Sequence, residues 1–411
     1  MIPTRASAPT TPEEPEGPLA PDPGARRDLL LLAAASAVAM VGWSMLMLLV
    51  PLLALRFGTG AGGLGLIVAG ASLLPLVSAV PIGTYVDRWG ARRVAVVGFL
   101  GSTVALLPMA VTPSLLWLIV AFVVGSALQN AFIIGAQALI AALGSAGKSR
   151  EAAYGWWTTA MAGGHVVGPV VGGVVLDAYG AGPAFAAVAA MTATALLLLL
   201  GLRTRVRSET VVPPFRWSAG VALLRDRTVG IAILTSSAAV WAMTIHATFL
   251  PVHLETLAMS AATIGVLLSL RSVAAVVVRP IMPQLVALLG GRERTVVYTL
   301  IALAVGLAGV VWSPSPWAIG LWMVLFGMGH GLSQPISMVM VADRVAPRER
   351  GSALGVRLML NRLAQVLAPI AFAVVADRAG LSWMFVAHAA LVGAAAAVLA
   401  MRVRRPAATP D

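Results

Sequence analysis

The chain has no cysteine and few charged residues. Without cysteine there can be no disulfide, no iron–sulfur cluster and no thiolate chemistry. Only 11% of the 411 residues are charged and 59% are hydrophobic, which is more apolar surface than one soluble core can bury. The composition therefore predicts a polytopic membrane protein whose partner is the lipid bilayer. The net charge of +12 does not indicate a nucleic-acid partner, because the basic residues are dispersed and form no single patch.

Twelve apolar runs of about 18 to 28 residues are each long enough to cross a hydrocarbon layer of ~30 Å as a helix. They predict an all-α membrane protein with twelve transmembrane helices. The runs, called spans 1 to 12, are residues 29–53, 63–84, 94–112, 115–142, 152–178, 183–202, 228–252, 261–285, 295–312, 316–341, 351–375 and 381–401.

Of the 28 Lys and Arg residues, 22 lie in loops and tails on one side of this arrangement and four lie within spans. On the other side, only Arg56 and Arg378 lie in the loops. The positive-inside rule therefore places both termini in the cytoplasm. A single Lys among the basic residues is typical of a GC-rich bacterial genome. We expect a multi-pass protein of the cell (inner) membrane.

The two halves of the chain repeat each other at an offset of about two hundred residues, as in parallel-repeat transporters. Pro169 falls on Pro369, Asp177 on Asp377 and Gly180 on Gly380. We therefore predict two pseudo-symmetric six-helix bundles with a binding site between them, near mid-membrane. The predicted segments are a disordered cytoplasmic tail at 1–28, bundles at 29–202 and 228–402, a cytoplasmic linker at 203–227 and a second tail at 403–411.

Two motifs carry a family resemblance that covers the chain from about residue 29 to 402. The segment Gly83-Thr84-Tyr85-Val86-Asp87-Arg88-Trp89-Gly90-Ala91-Arg92-Arg93 joins spans 2 and 3 and resembles the loop signature of the major facilitator superfamily. Its Ala91 departs from the arginine that many members carry. The resemblance implies that Asp87 contacts the cytoplasmic end of span 11 and helps to latch an inner gate. The gating residues it implies are Gly83, Asp87, Arg88, Gly90, Arg92 and Arg93.

Span 5 contains Gly164-His165-Val166-Val167-Gly168-Pro169-Val170-Val171-Gly172-Gly173, which resembles the antiporter motif of the same family. The resemblance implies a drug or metabolite exporter. Independently of the family, small residues on one helix face permit close packing, and proline permits a bend. Both interpretations apply to Gly164, Gly168, Pro169, Gly172 and Gly173.

The coupling ion is inferred by elimination. Residues 142–149 end like a phosphate-binding loop but lack its first glycine and follow an apolar run, so we expect no nucleotide site. The proton gradient is what the family resemblance implies, yet no Asp or Glu lies deep in any span, and the span 4 arginine of many drug/proton antiporters is missing. His246 and His330 are candidate proton carriers, and His165 and His253 are further ones. His330 is favoured because Asn130 is its partner in the repeat, although each histidine can equally serve a structural hydrogen bond.

Arg271 and Arg362 lie near mid-span, where an arginine costs about 2.5–3.5 kcal/mol to insert. With no deep carboxylate to compensate, we hypothesise that both make the cavity electropositive and favour substrates with an acidic or oxygen-rich group. The alternative is packing against backbone carbonyls and Gln365. Arg279 and Arg357 lie nearer cytoplasmic ends and can extend toward water.

Polar and aromatic side chains on spans 1, 4 and 7 complete the expected pocket, whose members are Trp43, Gln129, Asn130 and Trp241. The leading prediction is a secondary active transporter that exports small organic molecules by proton antiport and alternating access. The alternative is an importer or exchanger of an organic anion. A membrane enzyme is disfavoured because the catalytic motifs of such enzymes are absent from the sequence. No cofactor or metal is expected, and the fold can work as a single chain.

Overall fold

The computed structural model describes residues 23–143, 148–203, 226–313, 315–345 and 350–404, and nearly all of them are helical. Helix is the expected outcome for these apolar runs, because in lipid every backbone N–H and C=O needs a partner within the segment. Within the described residues, eleven helices are long and apolar enough to cross a membrane, and a bent pair makes a twelfth span. The predicted all-α fold with twelve transmembrane helices is confirmed.

The first bundle contains α1 (Pro23–Arg56), α2 (Ala61–Trp89), α3 (Ala91–Val111), α4 (Leu115–Leu143), α5 (Lys148–Tyr179) and α6 (Ala181–Leu200). The second contains α7 (Arg227–Thr256), α8 (Ala261–Val277), α9 (Arg292–Val311), α10 (Pro316–Arg344), α11 (Arg350–Ala379) and α12 (Leu381–Arg404). A short helix, Met282–Leu288, follows α8.

Three predicted segment boundaries differ from the helix ends. The first helix begins at Pro23, so residues 23–28 of the predicted disordered tail are helical. The helix α7 begins at Arg227, inside the predicted linker, and Asp226 caps it by accepting hydrogen bonds from the backbone N–H groups of its first turn. The last helix runs to Arg404, beyond the predicted start of the C-terminal tail. The remainder of both tails and most of the linker lie outside the described residues.

The eighth span is bent. The sequence predicts one continuous run at 261–285, but α8 ends at Val277 and the short helix continues at an angle of 76°. Pro280 lies in the break, where its ring and missing N–H prevent regular helical hydrogen bonding. A proline within an apolar run therefore separated two helices that the hydropathy pattern joined.

The two halves share their local backbone geometry. Gly180 and Gly380 occupy the same position in the repeat and have φ angles of 83° and 86°. Gly58 and Ala258 form a second such pair, with φ angles of 80° and 58°. Ala258 holds this left-handed conformation without being glycine, which costs energy for a residue with a Cβ. The repeat found in the sequence is thus present in the tertiary structure.

The bundles meet along two symmetric helix pairs, α5 with α8 and α2 with α11. Gly265 of α8 lies against the carbonyl of Pro169, so closely that a Cβ there would collide with that oxygen. In the equivalent pair, a Cβ on Gly65 of α2 would lie 2.6 Å from the carbonyl oxygen of Pro369. Small residues therefore set the distance between the bundles, as expected where backbones approach in a membrane.

Carboxylates complete these contacts at the face of the protein that the sequence predicts to be external, here called the predicted outer face. Asp177, near the end of α5, accepts hydrogen bonds from the backbone N–H groups of Ala261 and Ala262 at 3.1 and 2.7 Å. A negative charge is stabilised at the N-terminus of α8 by the helix dipole. Its repeat partner Asp377 lies beside Gly62, in the first turn of α2.

An ion pair also crosses between the halves at this face. Arg56 at the end of α1 binds Glu255 near the end of α7, with a nitrogen–oxygen distance of 3.0 Å. We call these contacts between the bundles the outer seam. It comprises Gly65, Gly173, Asp177, Glu255 and Gly265 together with the residues that they contact. The outer seam joins the two bundles at the predicted outer face.

Candidate functional site

A cavity of about 310 Å³ lies between the bundles and is lined by side chains from both halves. Volumes of this order are typical of sites that bind small organic molecules. The helices α1, α2, α4 and α5 form one wall, and α7, α8 and α11 form the other. Of the residues predicted from the sequence for the pocket, Trp43, Gln129, Asn130, Arg271 and Arg362 line this cavity.

The first-bundle wall is aromatic and amide-rich. Trp43 of α1 stacks on Phe122 of α4, with ring centroids 5.9 Å apart. Further along α4, Asn130 donates a hydrogen bond to the carbonyl of Pro75 at 3.3 Å. The neighbouring Gln129 is 5% exposed, and its amide nitrogen has no hydrogen-bond partner among the described residues. This wall thus combines aromatic side chains with an amide donor that is unpaired among the described residues.

The helix α5 contributes a histidine to the same wall. His165 lines the cavity, and its Nδ1 forms a hydrogen bond of 2.8 Å with the hydroxyl of Ser44 on α1. The flanking glycines make this possible, because Cβ atoms on Gly164 and Gly168 would lie 2.6 and 2.5 Å from carbonyl oxygens of α1. The close packing predicted for the span 5 motif is therefore what brings His165 to Ser44.

The last two motif glycines contact different helices. Gly172 packs on Met45 of α1, and its Cβ would lie 3.2 Å from the Cα of that residue. Gly173 faces the other bundle, where a Cβ would collide with the carbonyl of Ala261 at the outer seam. One motif thus serves both the interior of a bundle and the junction between bundles.

On the cavity wall formed by the second bundle, the basic residue Arg271 is hydrogen-bonded to a buried histidine. Arg271 of α8 donates a hydrogen bond from Nη1 to Nδ1 of His246, at 3.0 Å. Because a guanidinium can only donate, His246 Nδ1 must accept, which fixes the imidazole as the neutral form protonated on Nε2. The imidazole is fully buried and stacks on Phe326 of α10, with ring centroids 4.2 Å apart. The packing of His246 thus determines where the Arg271 guanidinium lies.

The second basic residue lies on α11. Arg362 donates from Nη1 to Oε1 of Gln365 at 3.0 Å, and both side chains line the cavity. Among the described residues, neither Arg362 nor Arg271 forms an ion pair, and no Asp or Glu lines the cavity. The cavity therefore carries positive charge that no carboxylate of its own wall neutralises.

Arg357 is a contrasting case in the same helix. It is 3% exposed and donates hydrogen bonds to the Ser337 hydroxyl and to the carbonyl and side-chain oxygens of Gln334. It ties α11 to α10 inside the bundle, so the prediction that this side chain extends toward water was wrong.

Three residues predicted for the pocket lie outside the cavity lining. Trp241 packs its edge against Phe372 inside the second bundle. His246 lies behind Arg271, and His330 on α10 has a buried Nδ1 without a partner among the described residues. His330 was favoured because of its register with Asn130, but register in the repeat does not fix which way a helix face turns.

Sequence reasoning missed several polar residues of the lining, among them Ser44, Thr244 and Thr248. Ser44 and Thr244 occupy equivalent positions in the repeat, and Thr248 follows Thr244 by one helical turn. Polar positions at this spacing share one helix face. The combination of repeat register and helical period was the signal that could have identified them.

The gating motif lies at the opposite end of the bundle from the outer seam. Asp87 is exposed near the end of α2, and it makes no hydrogen bond or ion pair with the described residues. Among the described residues, the contact with α11 expected from the family resemblance is therefore absent. Arg88, Gly83 and Arg93 likewise lie at this end, where Gly83 has open space around it.

Two other residues of the motif have clear structural roles. Gly90 has a φ angle of 88° and forms the turn between α2 and α3. Arg92 donates a hydrogen bond of 2.6 Å to the carbonyl of Leu200, at the end of α6, where a positive charge is favoured by the helix dipole. The motif therefore organises one end of the first bundle.

Two six-helix bundles around a shared cavity, joined at one end by small residues and charged caps, are the architecture of membrane transporters built from parallel repeats. The sequence model of the Major Facilitator Superfamily matches residues 32–254 and 232–411. The chain belongs to this family.

Two curated relatives are drug-resistance proteins. The multidrug resistance protein MdtG of Enterobacter lignolyticus (strain SCF1) is 25% identical over 335 residues, covering 80% of this chain and 79% of that protein. The class C tetracycline resistance protein of Escherichia coli is 25% identical over 345 residues, covering 80% of this chain and 84% of the relative.

Solved structures share the fold. A bacterial homologue of the human lysosomal transporter Spinster, in an inward-facing and occupied conformation, has a TM-score of 0.76 at 14% identity and covers 94% of this chain and 100% of its own. The nucleoside transporter NupG has a TM-score of 0.73 at 15% identity, covering 92% of this chain and 100% of its own. At these identities the likeness shows the fold alone.

Proposed function

We propose that the chain is a secondary active transporter that exports small organic molecules from the cell by proton antiport. The observation that carries this proposal is the cavity between the bundles, which is lined by side chains of both halves. The outer seam joins the two bundles at one end. The curated relatives named as multidrug and tetracycline resistance proteins favour export. The span 5 motif favours the same direction through the resemblance stated above.

Export is tested by expression in a bacterial strain that lacks its main efflux pumps, preloaded with a panel of fluorescent organic compounds and tetracycline. We expect at least one compound to leave faster than from cells with the empty vector, and to be retained when a protonophore collapses the gradient. Faster uptake of a compound into expressing cells would contradict export and favour the organic-anion importer.

For proton coupling we propose His165, because it is the histidine that lines the cavity. Among the described residues no Asp or Glu lines the cavity, and Arg271 lies on its opposite wall. Antiport then requires that substrate entering this cavity displace the proton from His165. The sequence-based candidates His246 and His330 lie behind the wall.

Replacing His165 with glutamine is expected to keep the hydrogen bond to Ser44 while removing the titratable group. Addition of a transported compound to purified wild-type protein in weakly buffered detergent solution should release protons, measured with a pH-sensitive dye. His165→Gln should bind the compound and release none, whereas His330→Gln should release as many as the wild type. Undiminished release from His165→Gln would assign the proton to another group.

Orientation is part of the same proposal, with both termini and the gating motif on the cytoplasmic side. The basic residues near the ends of α2, α6 and α10 support this placement by the positive-inside rule. Because the natural sequence has no cysteine, single cysteines introduced at the exposed positions Ser315 and Arg88 can be labelled without background. A membrane-impermeant maleimide added to intact cells should label position 315 and leave position 88 unlabelled.

A further inference from the structure

We propose that the cavity binds an organic anion with a flat apolar body, its carboxylate or phosphate group held by Arg271 and Arg362 and its body against Trp43 and Phe122. This inference rests on the proposed function in that it names the chemical class of substrate for the same cavity, and it does not depend on the direction of transport.

Electrostatics favour this class of ligand. Both guanidinium groups line the cavity, and among the described residues neither has a carboxylate partner. Arg271 is half-buried and Arg362 is exposed. A partly buried charge without a counterion is costly, and an anionic ligand reduces that cost. A cationic ligand would add a third positive charge to the same space, and like charges at close range repel more strongly there than in water.

Hydrogen-bonding groups around the cavity point to an acceptor-rich ligand. Arg271 uses one N–H on His246, and Arg362 uses one on Gln365, while a guanidinium has five to offer. On the opposite wall, the amide nitrogen of Gln129 is buried without a partner among the described residues. Charge-assisted hydrogen bonds from arginine to carboxylate or phosphate oxygens are among the strongest that side chains make.

The positions of these groups are built into the packing. Gly327 of α10 lies directly against the backbone carbonyl of Arg271, so α8 sits as close to α10 as two helices can. His246, stacked on Phe326, then holds the guanidinium from behind. His246 is therefore a positioning residue for the anion site, and Arg271 is the residue that contacts the ligand.

The apolar part of the ligand is assigned to the other bundle. Trp43 and Phe122 both line the cavity and stack on each other. The apolar rings of a ligand gain binding energy by packing against such aromatic side chains. The charged end would thus be bound by one bundle and the apolar end by the other, so the ligand itself would connect the two halves.

Three probes that share one ring system test the inference: 2-naphthoate, 2-naphthamide and 2-naphthylmethylammonium. Binding to purified wild-type protein is measured by quenching of tryptophan fluorescence at constant ionic strength. We expect the carboxylate to bind about tenfold or more tightly than the uncharged amide, the range for one charge-assisted contact, and the ammonium to bind most weakly. Equal or tighter binding of the amide overturns the inference.

Variants then assign the preference to the two arginines. Arg271→Gln and Arg362→Gln should each reduce the preference for carboxylate over amide to less than about threefold, whereas Arg271→Lys should retain most of it. Arg378→Gln is the matched control, since Arg378 lies on the same helix as Arg362, at the predicted outer face, and does not line the cavity. A preserved preference in correctly folded Arg271→Gln and Arg362→Gln proteins contradicts the assignment.

Two further measurements test the roles given to His246 and to the aromatic pair Trp43 and Phe122. His246→Gln, which keeps an acceptor for Arg271, should retain the preference, while His246→Leu should lose it although both variants elute as monodisperse protein. Acetate in excess should not displace 2-naphthoate, and displacement at equal concentration contradicts the role given to Trp43 and Phe122. Preferential binding of 2-naphthoate without any transport would refute the proposed function and leave the anion site standing. Export of compounds by a protein that binds the amide more tightly would refute the anion site and leave the proposed function standing.

Discussion

Replacing Gly173 with alanine is expected to abolish transport while leaving the protein folded. In this conformation a Cβ at position 173 would collide with the carbonyl oxygen of Ala261, across the outer seam. A backbone oxygen cannot move aside as a side chain can, so the closed seam is destabilised. Alternating access needs both seam-closed and seam-open states, and a variant confined to one of them cannot complete the cycle.

The experiment measures the rate of transport and the accessibility of a residue in the cavity. We expect substrate flux in proteoliposomes to fall at least about tenfold, which corresponds to about 1.4 kcal/mol of bias between the two states. A single cysteine introduced at Thr248, which lines the cavity, should react faster with an impermeant maleimide from the predicted outer face. Elution of the purified variant as a monodisperse peak shows that the fold is retained.

A matched control lies on the same helix. Gly163 has open space where its Cβ would be, so Gly163→Ala should transport at the wild-type rate. It should be slightly more stable, because alanine favours helix over glycine by up to about 1 kcal/mol. Normal flux in Gly173→Ala would show that the seam opens and closes without this close approach.

Replacing Gly327 with alanine should act on the fold itself. Gly327 also faces a backbone carbonyl, that of Arg271, but both residues belong to the second bundle. This contact is therefore needed in every state of the transport cycle, and no change of conformation relieves the collision. Overpacking of this kind costs about 1–3 kcal/mol, and a backbone obstacle places the cost at the upper end.

The expected loss of stability in Gly327→Ala is tested by thermal unfolding. We expect a clear fall in the Tm of detergent-purified Gly327→Ala, monitored by size-exclusion after heating, together with loss of the carboxylate preference as α8 and Arg271 are displaced. Gly125→Ala, in the equivalent helix α4, is the control because its Cβ meets nothing within 4 Å. An unchanged Tm would mean that α8 and α10 can separate slightly without cost.

The contrast between these two glycines could not be predicted from the sequence. Both stand in apolar helices, and both are small residues suited to close packing. The sequence places Gly173 in a family-like motif and Gly327 in none. Only the structure shows that one faces the other bundle and the other faces its own, since the neighbour of a helix face is a property of assembly.

The candidate site shows the same division. Arg271 and Arg362 could be identified because a charge in the middle of an apolar run demands an explanation in lipid. Trp241 and His330 were equally plausible by position, yet neither lines the cavity, and Trp241 packs against Phe372. His165 was treated as one histidine of several, and its hydrogen bond with Ser44 became visible only with the packing of α5 on α1.

The sequence by itself determined the class of protein, the number of spans, the internal repeat and the family resemblance. These follow from local requirements: a run must be apolar over about 30 Å, and its backbone must satisfy its own hydrogen bonds. The tertiary structure decided the bend after α8, the location of the outer seam, the absence of the Asp87 contact in the described residues, and which polar side chains share the cavity. Those depend on how each helix is rotated about its axis, which is set by the neighbours it packs against and by close approaches such as that of Gly265 to Pro169.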